Sequence, residues 1–115
     1  MTSVTEIRKA IRELLADVPG TVQVLAGPSE YATGPGFDKL GFVVSIHVGP
    51  PSPKGEETLD ELIAPSGVKA TLEADDKLGG LVSDLTVTRS SGHRLFELPS
   101  AEQVLGAEWT VQILP

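Results

Sequence analysis

The chain contains no cysteine and no asparagine among its 115 residues. Without cysteine it cannot form disulfides, use a thiol nucleophile or hold zinc through thiolates. Without asparagine it has no sequon for N-glycosylation. The chemistry open to this protein is therefore limited to oxygen, imidazole and amine groups.

Long hydrophobic runs and a basic surface are also missing. No apolar stretch approaches the ~20 residues of a membrane-spanning helix, and the first residues (MTSVTE) show no signal-peptide pattern. Nine Lys and Arg stand against sixteen Asp and Glu, which gives a net charge of −7. Tight nucleic-acid binders present a basic surface to phosphate, so we expect neither a nucleic-acid-binding protein nor a membrane protein.

Aromatic residues are few: one Trp, one Tyr and three Phe. We therefore expect a core of Val, Leu and Ile, joined by Trp109, which falls on the apolar side of an alternating segment. A chain of 115 residues has the usual size of one domain, and no internal repeat divides it. The prediction is a single domain over residues 1–115.

The N-terminal half is predicted to contain one helix, two strands and two long loops. Residues 4–17 have apolar side chains at helical spacing behind a capping box, which predicts an amphipathic helix. Alternating apolar residues predict strands at 21–26 and 41–48. Two segments rich in Gly and Pro, 27–40 and 49–57, are predicted to be loops, because their prolines favour polyproline II over a helix.

The C-terminal half is predicted to contain two short helices and three strands. A second capping-box match begins at Thr58, and Pro65 divides the segment 57–77 into two short helices, the second capped by Ser66. The strands are predicted at residues 81–88, 93–98 and 107–113. The turn residues at 90–92 indicate that the second of these strands returns along the first.

Hairpin-like connections of this kind favour an α+β fold. We predict a mainly antiparallel sheet of about five strands, with the N-terminal helix and one or two short helices packed on one face. The other face is expected to be polar-leaning but still to contain four large apolar residues, namely Leu25, Val43, Val82 and Leu95. A half-apolar outer face indicates that a partner covers part of it.

Neither histidine belongs to a recognisable catalytic pattern. His47 alternates onto the polar side of a strand, His93 lies beside a turn, and no G-x-S-x-G segment supplies a nucleophile. Two distant histidines without cysteine give no zinc spacing, and the glycines form no phosphate-binding motif. We therefore expect no catalytic residue, no metal ligand and no bound cofactor.

The two predicted loops supply the candidates for contact with a partner: Tyr31, Phe37, Lys39, Pro51, Lys54 and Glu56. Tyr31 and Phe37 are large aromatic side chains in a Gly-rich segment, where they either anchor a partner or fold back onto their own domain. The Gly and Pro content of both loops allows them to become ordered on binding.

Three segments of the C-terminal half resemble a known family. They are residues 58–75 (TLDELIAPSGVKATLEAD), 78–88 (LGGLVSDLTVT) and 105–113 (LGAEWTVQI). Together, over residues 56–114, they resemble small neck proteins of long-tailed actinobacterial phages, most closely the tail-terminator type. The resemblance marks a fold and not an active site.

The resemblance implies an α+β subunit of a hexameric ring in the virion, assembled in the host cytoplasm. Such a ring caps the finished tail tube, stops its polymerisation and joins the tail to the head connector or head-completion protein, while DNA passes through its lumen. An acidic lumen would let DNA slide without adhesion. The two predicted loops are the expected sites of contact with the tube and the connector.

Two other functions stay open from the sequence. A head-completion or stopper protein of the same neck has a similar size and context. A monomeric ligand-binding module or small enzyme would have to use His47 or His93, yet the sequence contains no nucleophile or metal motif beside either.

Overall fold

The part of the chain that the structure describes forms an antiparallel five-stranded sheet with helices on one face, as the sequence predicts. The computed structural model describes residues 4–27 and 39–114. The elements are α1 (Val4–Leu14), β1 (Thr21–Ala26), β2 (Leu40–Gly49), α2 (Pro53–Ile63), α3 (Val68–Glu73), β3 (Asp84–Ser90), β4 (Arg94–Glu97) and β5 (Gln103–Leu114). A 3-10 turn at Leu78–Gly80 lies between α3 and β3.

The longest strand, β5, lies in the middle of the sheet. On one side it pairs with β2, which in turn pairs with β1, and on the other side it pairs with both β3 and β4. Every pairing is antiparallel. Directly paired residues point to the same face, so the register decides which side chains meet the helices. Val44 pairs with Trp109 on the helix side, whereas Ser45 pairs with Glu108 on the side that faces away.

The core lies between the sheet and the helices. Its largest fully buried side chains come from the first helix and the turn after it, from α2 and α3, and from strands β2, β3 and β5: Ile7, Ile11, Leu15, Leu59, Leu72, Leu40, Phe42, Val44, Ile46, Leu85, Trp109 and Ile113. Burial of this apolar surface is the main stabilising contribution to the fold. The predicted place of Trp109 in the core is confirmed.

The prediction of a loop over residues 49–57 is wrong, because α2 begins inside it. Ser52 is the N-cap of α2, and its Oγ accepts a hydrogen bond from the Gly55 N–H at 3.0 Å. Pro53 takes the first helical position, where its missing N–H has no helical acceptor and its φ is already helical. One of the prolines that favoured polyproline II, Pro53, therefore begins a helix.

Two further capping predictions are wrong. Thr58 lies inside α2, where its hydroxyl donates to the Lys54 carbonyl at 3.0 Å, and it caps nothing. Gly67, not Ser66, precedes α3, and no side chain of the described residues caps that helix. The break between the two helices at Pro65 is confirmed.

The first helix ends at Leu14 and not at residue 17. Beyond it, the N–H groups of Ala16 and Val18 donate to carbonyls three residues earlier, each at 3.3 Å. Such bonds tighten the chain into 3-10-like turns, which is a common way for a helix to end.

Strands β3 and β4 do not form the predicted hairpin. Both run antiparallel to β5 along the same edge, β3 beside its C-terminal half and β4 beside its N-terminal half. Residues 91–93 therefore interrupt one edge of the sheet without reversing the chain. The Ser91 N–H donates to the Glu108 carbonyl at 2.9 Å, and the Ser91 Oγ accepts from the Glu108 N–H at 3.0 Å. The Ser91 hydroxyl thus accepts the hydrogen bond that a backbone carbonyl would accept in a continuous strand. Strand β4 forms its hairpin with β5.

Two of the four apolar residues expected on the outer face lie elsewhere. Val82 precedes β3, so strand alternation does not apply to it, and its side chain is buried in the core. Leu95 pairs with Leu105, a core residue, and therefore lies on the helix side of the sheet, where it is half exposed. Leu25 and Val43 pair with each other on the outer face, as predicted.

Candidate functional site

The face of the sheet that points away from the helices is called the open face below. It is formed by outward side chains of all five strands, among them Leu25, Val43, His47, Arg89, Arg94 and Glu108. A shallow depression of about 420 Å³ lies on it, lined by Val43, Arg89, Ser91, Arg94, Glu108 and Thr110. This depression brings two guanidinium groups and one carboxylate beside apolar surface, which is a composition suited to recognising another protein.

A group of charged and aromatic side chains crosses one end of the open face. Arg94 forms an ion pair with Glu108, and its guanidinium carbon lies 4.8 Å from the centroid of the Phe96 ring. The His47 ring lies on the same phenyl group, with centroids 4.5 Å apart and planes inclined by 39°. The ion pair with Glu108 and the cation–π contact with Phe96 together hold the Arg94 guanidinium in place on the open face.

His47 lies on the polar side of its strand, as predicted, but it is packed against Phe96 and is not fully solvated. Its Nε2 atom is buried and has no hydrogen-bond partner within residues 4–27 and 39–114. Phe96 was not predicted as a site residue, because only the pairing of β4 with β5 brings it beside His47. A glycine inside the otherwise regular strand β5, Gly106, was the available signal, since such glycines mark close approach of neighbouring groups.

The second histidine forms a surface ion pair or hydrogen bond with α2. The His93 Nε2 atom lies 2.8 Å from Asp60 Oδ1, and both side chains are well exposed. A Ser-His-Asp triad would need a hydroxyl on the imidazole, but the nearby hydroxyls of Ser90 and Ser91 bond to backbone groups. The arrangement attaches residues 91–93 to α2, and exposed pairs of this kind contribute little energy.

Three of the six predicted partner contacts come together in the structure. Pro51, Lys54 and Glu56 are exposed and lie at or just before the first turn of α2. Lys39 is exposed too, but it precedes the opposite end of β2. Tyr31 and Phe37 lie outside the described residues.

The exposed side of α2 is strongly acidic and is called the acidic surface below. It comprises Glu56, Glu57, Asp60 and Glu61, all exposed. The last turn of α2 contains no basic residue, although the helix dipole favours positive charge there. Glu57 and Glu61 are four residues apart and repel each other. The acidic surface is therefore present at some cost to the stability of α2.

Within residues 4–27 and 39–114, no group of three or more His, Cys, Asp or Glu side chains is placed to hold a metal ion. None of the helices in these two ranges combines the length and the hydrophobicity that a membrane-spanning segment needs. The sequence matches no protein-family model and no curated protein.

Proposed function

We propose that this protein is a structural subunit of the neck of a long-tailed phage, of the tail-terminator type. In this role it forms a hexameric ring in the virion, assembled in the host cytoplasm. The ring caps the finished tail tube, ends its polymerisation and joins the tail to the head connector, and DNA passes through its lumen.

The difference between the two sides of the domain is the observation that supports this proposal most. The helix side encloses the core and presents the acidic surface of α2. The open face presents two arginines together with the neighbouring apolar pair Leu25 and Val43. A closed ring with rotational symmetry joins each subunit to the next through two different patches, and two chemically unlike sides meet that requirement.

The resemblance and the net charge add to this support. The three segments that resemble neck proteins lie between α2 and β5, which is the part of the chain that forms three of the five strands. A net charge of −7 suits a ring through which DNA must slide, because an acidic surface does not retain phosphate.

Electron microscopy of the purified protein with tail tubes that lack their natural cap tests the proposal. We expect rings at the head-proximal end of each tube and no further growth when tube subunits are added. Tubes that already have their cap serve as the control and should bind no ring.

Two other results would lead elsewhere. Rings that form on isolated head connectors and never on tube ends would identify a stopper or head-completion protein of the same neck. A protein that binds neither structure would contradict both neck functions. Attention would then turn to His47 and His93 as residues of a ligand-binding site.

A further inference from the structure

We propose that the open face binds helix α2 of a second copy of this chain, so that subunits join head to tail. The occupant is thus a surface that every copy already presents. The closed hexamer rests on the function proposed above, whereas the contact between two copies can be tested without a tail tube.

Charge is the first argument for this pairing. In a chain with sixteen acidic and nine basic residues, the central part of the open face contains Arg89 and Arg94 and only one carboxylate, Glu108. Arg94 and Glu108 form an ion pair, so their charges offset each other. Arg89 has no ion pair within residues 4–27 and 39–114, and the other acidic residue on this face, Asp84, lies at the far end of β3. The open face therefore presents one uncompensated positive charge next to its depression.

The apolar part of the open face is the second argument. Leu25 is 53% exposed and pairs with Val43. Val43 pairs in turn with Thr110, and Thr110 pairs on its other side with Arg89. These four residues form a row across the sheet that is apolar at one end and positively charged at the other. A matching surface should be apolar and acidic at the corresponding ends.

Helix α2 has such a row. Pro53, Glu57 and Glu61 are spaced four residues apart, so they lie along one side of the helix, and all three are exposed. The row begins with a proline ring and ends with a carboxylate. Within the described part of the chain neither Glu57 nor Glu61 has an ion-pair partner, so both are available to a neighbouring guanidinium.

The lengths of the two rows agree. From Leu25 to Arg89 the sheet row crosses three gaps between strands of about 4.8 Å, so it is about 14 Å long. From Pro53 to Glu61 the helix rises through eight residues at about 1.5 Å each, so its row is about 12 Å long. A helix lying across the strands therefore places Pro53 on Leu25 and Val43 while Glu61 reaches Arg89.

This contact is heterologous, because the open face and α2 are on different sides of the same subunit. A copy that binds through its open face still presents a free α2. A copy that binds through α2 still presents a free open face. Such contacts propagate until the rotation between neighbours closes a ring.

Site-directed cross-linking suits this chain because it contains no cysteine. One variant has Leu25→Cys and a second has Pro53→Cys, and a short bismaleimide is added to each alone and to their mixture. We expect covalent dimers only in the mixture, and a ladder of higher species from the double variant. The matched control pair is Thr21→Cys with Ser90→Cys, which reports joining of the exposed strands β1 and β3 edge to edge, and we expect no product from it.

Charge reversal then tests the role of Arg89 in the same cysteine backgrounds. Arg89→Glu in the Leu25→Cys variant should lower the cross-linking yield roughly tenfold, since it places a carboxylate against Glu61 of the Pro53→Cys copy. Adding Glu61→Arg to the Pro53→Cys variant should restore the yield, because the pair is then present in reverse. The reversal leaves the cross-linked positions untouched, so a change in yield reports docking.

Four results would overturn the inference. They are cross-linked products from either single variant alone, cross-linked products from the Thr21→Cys and Ser90→Cys pair, a cross-linking yield that does not change when the charge at Arg89 is reversed, and no product either at high protein concentration or on tube ends.

Failure of this inference is distinguishable from failure of the proposed function. Rings on tube ends without cross-links between Leu25→Cys and Pro53→Cys would contradict only the proposed contact between the open face and α2. Cross-linked rings in solution that never bind a tube would remove only the terminator function.

Discussion

The close approach of β2 and β4 to the backbone of β5 at Gly106 makes Gly106→Ala the most informative single change in the sheet. A Cβ at this position would collide with the Ile46 carbonyl oxygen and would come within 3.0 Å of both the His47 and Phe96 rings. The rings can move, but the carbonyl belongs to the neighbouring strand, so β2 and β5 would have to separate locally.

The expected magnitude follows from two opposing effects. Alanine in a strand is preferred to glycine by about 0.5–1 kcal/mol, whereas overpacking costs about 1–3 kcal/mol. We expect Gly106→Ala to lower the free energy of unfolding by about 1–2 kcal/mol, which corresponds to a fall in Tm of about 4–8 °C for a domain of this size.

Urea unfolding followed by tryptophan fluorescence measures this change, because the only tryptophan, Trp109, is buried three residues further along β5. Gln112→Ala, on the same strand and face, is the control and should change stability by less than about 0.5 kcal/mol. Adding Phe96→Ala to Gly106→Ala should not rescue the protein. A rescue, or a Gly106→Ala variant as stable as the parent, would refute the backbone collision as the cause.

Three further changes test the helix side. Ser52→Ala should cost about 1 kcal/mol by removing the N-cap of α2, while Ser66→Ala, which caps nothing, should be neutral in the same denaturation assay. Leu59→Ala should cost about 2–5 kcal/mol because the side chain is fully buried, whereas Leu25→Ala, at an exposed position, should stay within about 0.5 kcal/mol. Asp60→Asn should cost less than about 1 kcal/mol, and a difference from the parent that does not shrink when salt is raised would contradict an exposed ion pair with His93.

The parts of the fold that could be predicted are those set by periodicity. Alternation placed Val44, Ile46 and Trp109 on one side of the sheet, and helical spacing placed Ile7 and Ile11 in the core, where the structure has them. These patterns reflect which side chains avoid water, and this preference is expressed residue by residue along the sequence.

The errors arose where one residue type fits two local structures. Pro53 suits both polyproline II and the first position of a helix, and only the cap at Ser52 decides between them. Ser91 and Gly92 suit a hairpin turn, but β5 is long enough to pair with β3 and β4 in succession, so the chain continues along the same edge. Strand pairing is a long-range property, which is also why the contact between His47 and Phe96 was not predicted.

We expect the helix side of the sheet to determine the stability of the monomer and the open face to determine assembly. The single substitution Arg89→Glu tests this division. Arg89 is exposed on the open face and contributes nothing to the core, so its reversal should leave Tm within about 2 °C of the parent value. The same variant should assemble poorly, because its effect is on the contact between subunits. Calorimetry of the monomer and sedimentation of the assembled protein give the two numbers independently. A large fall in Tm would mean that the open face is part of what holds the monomer together, and its arginine would then be a structural residue and not a docking residue.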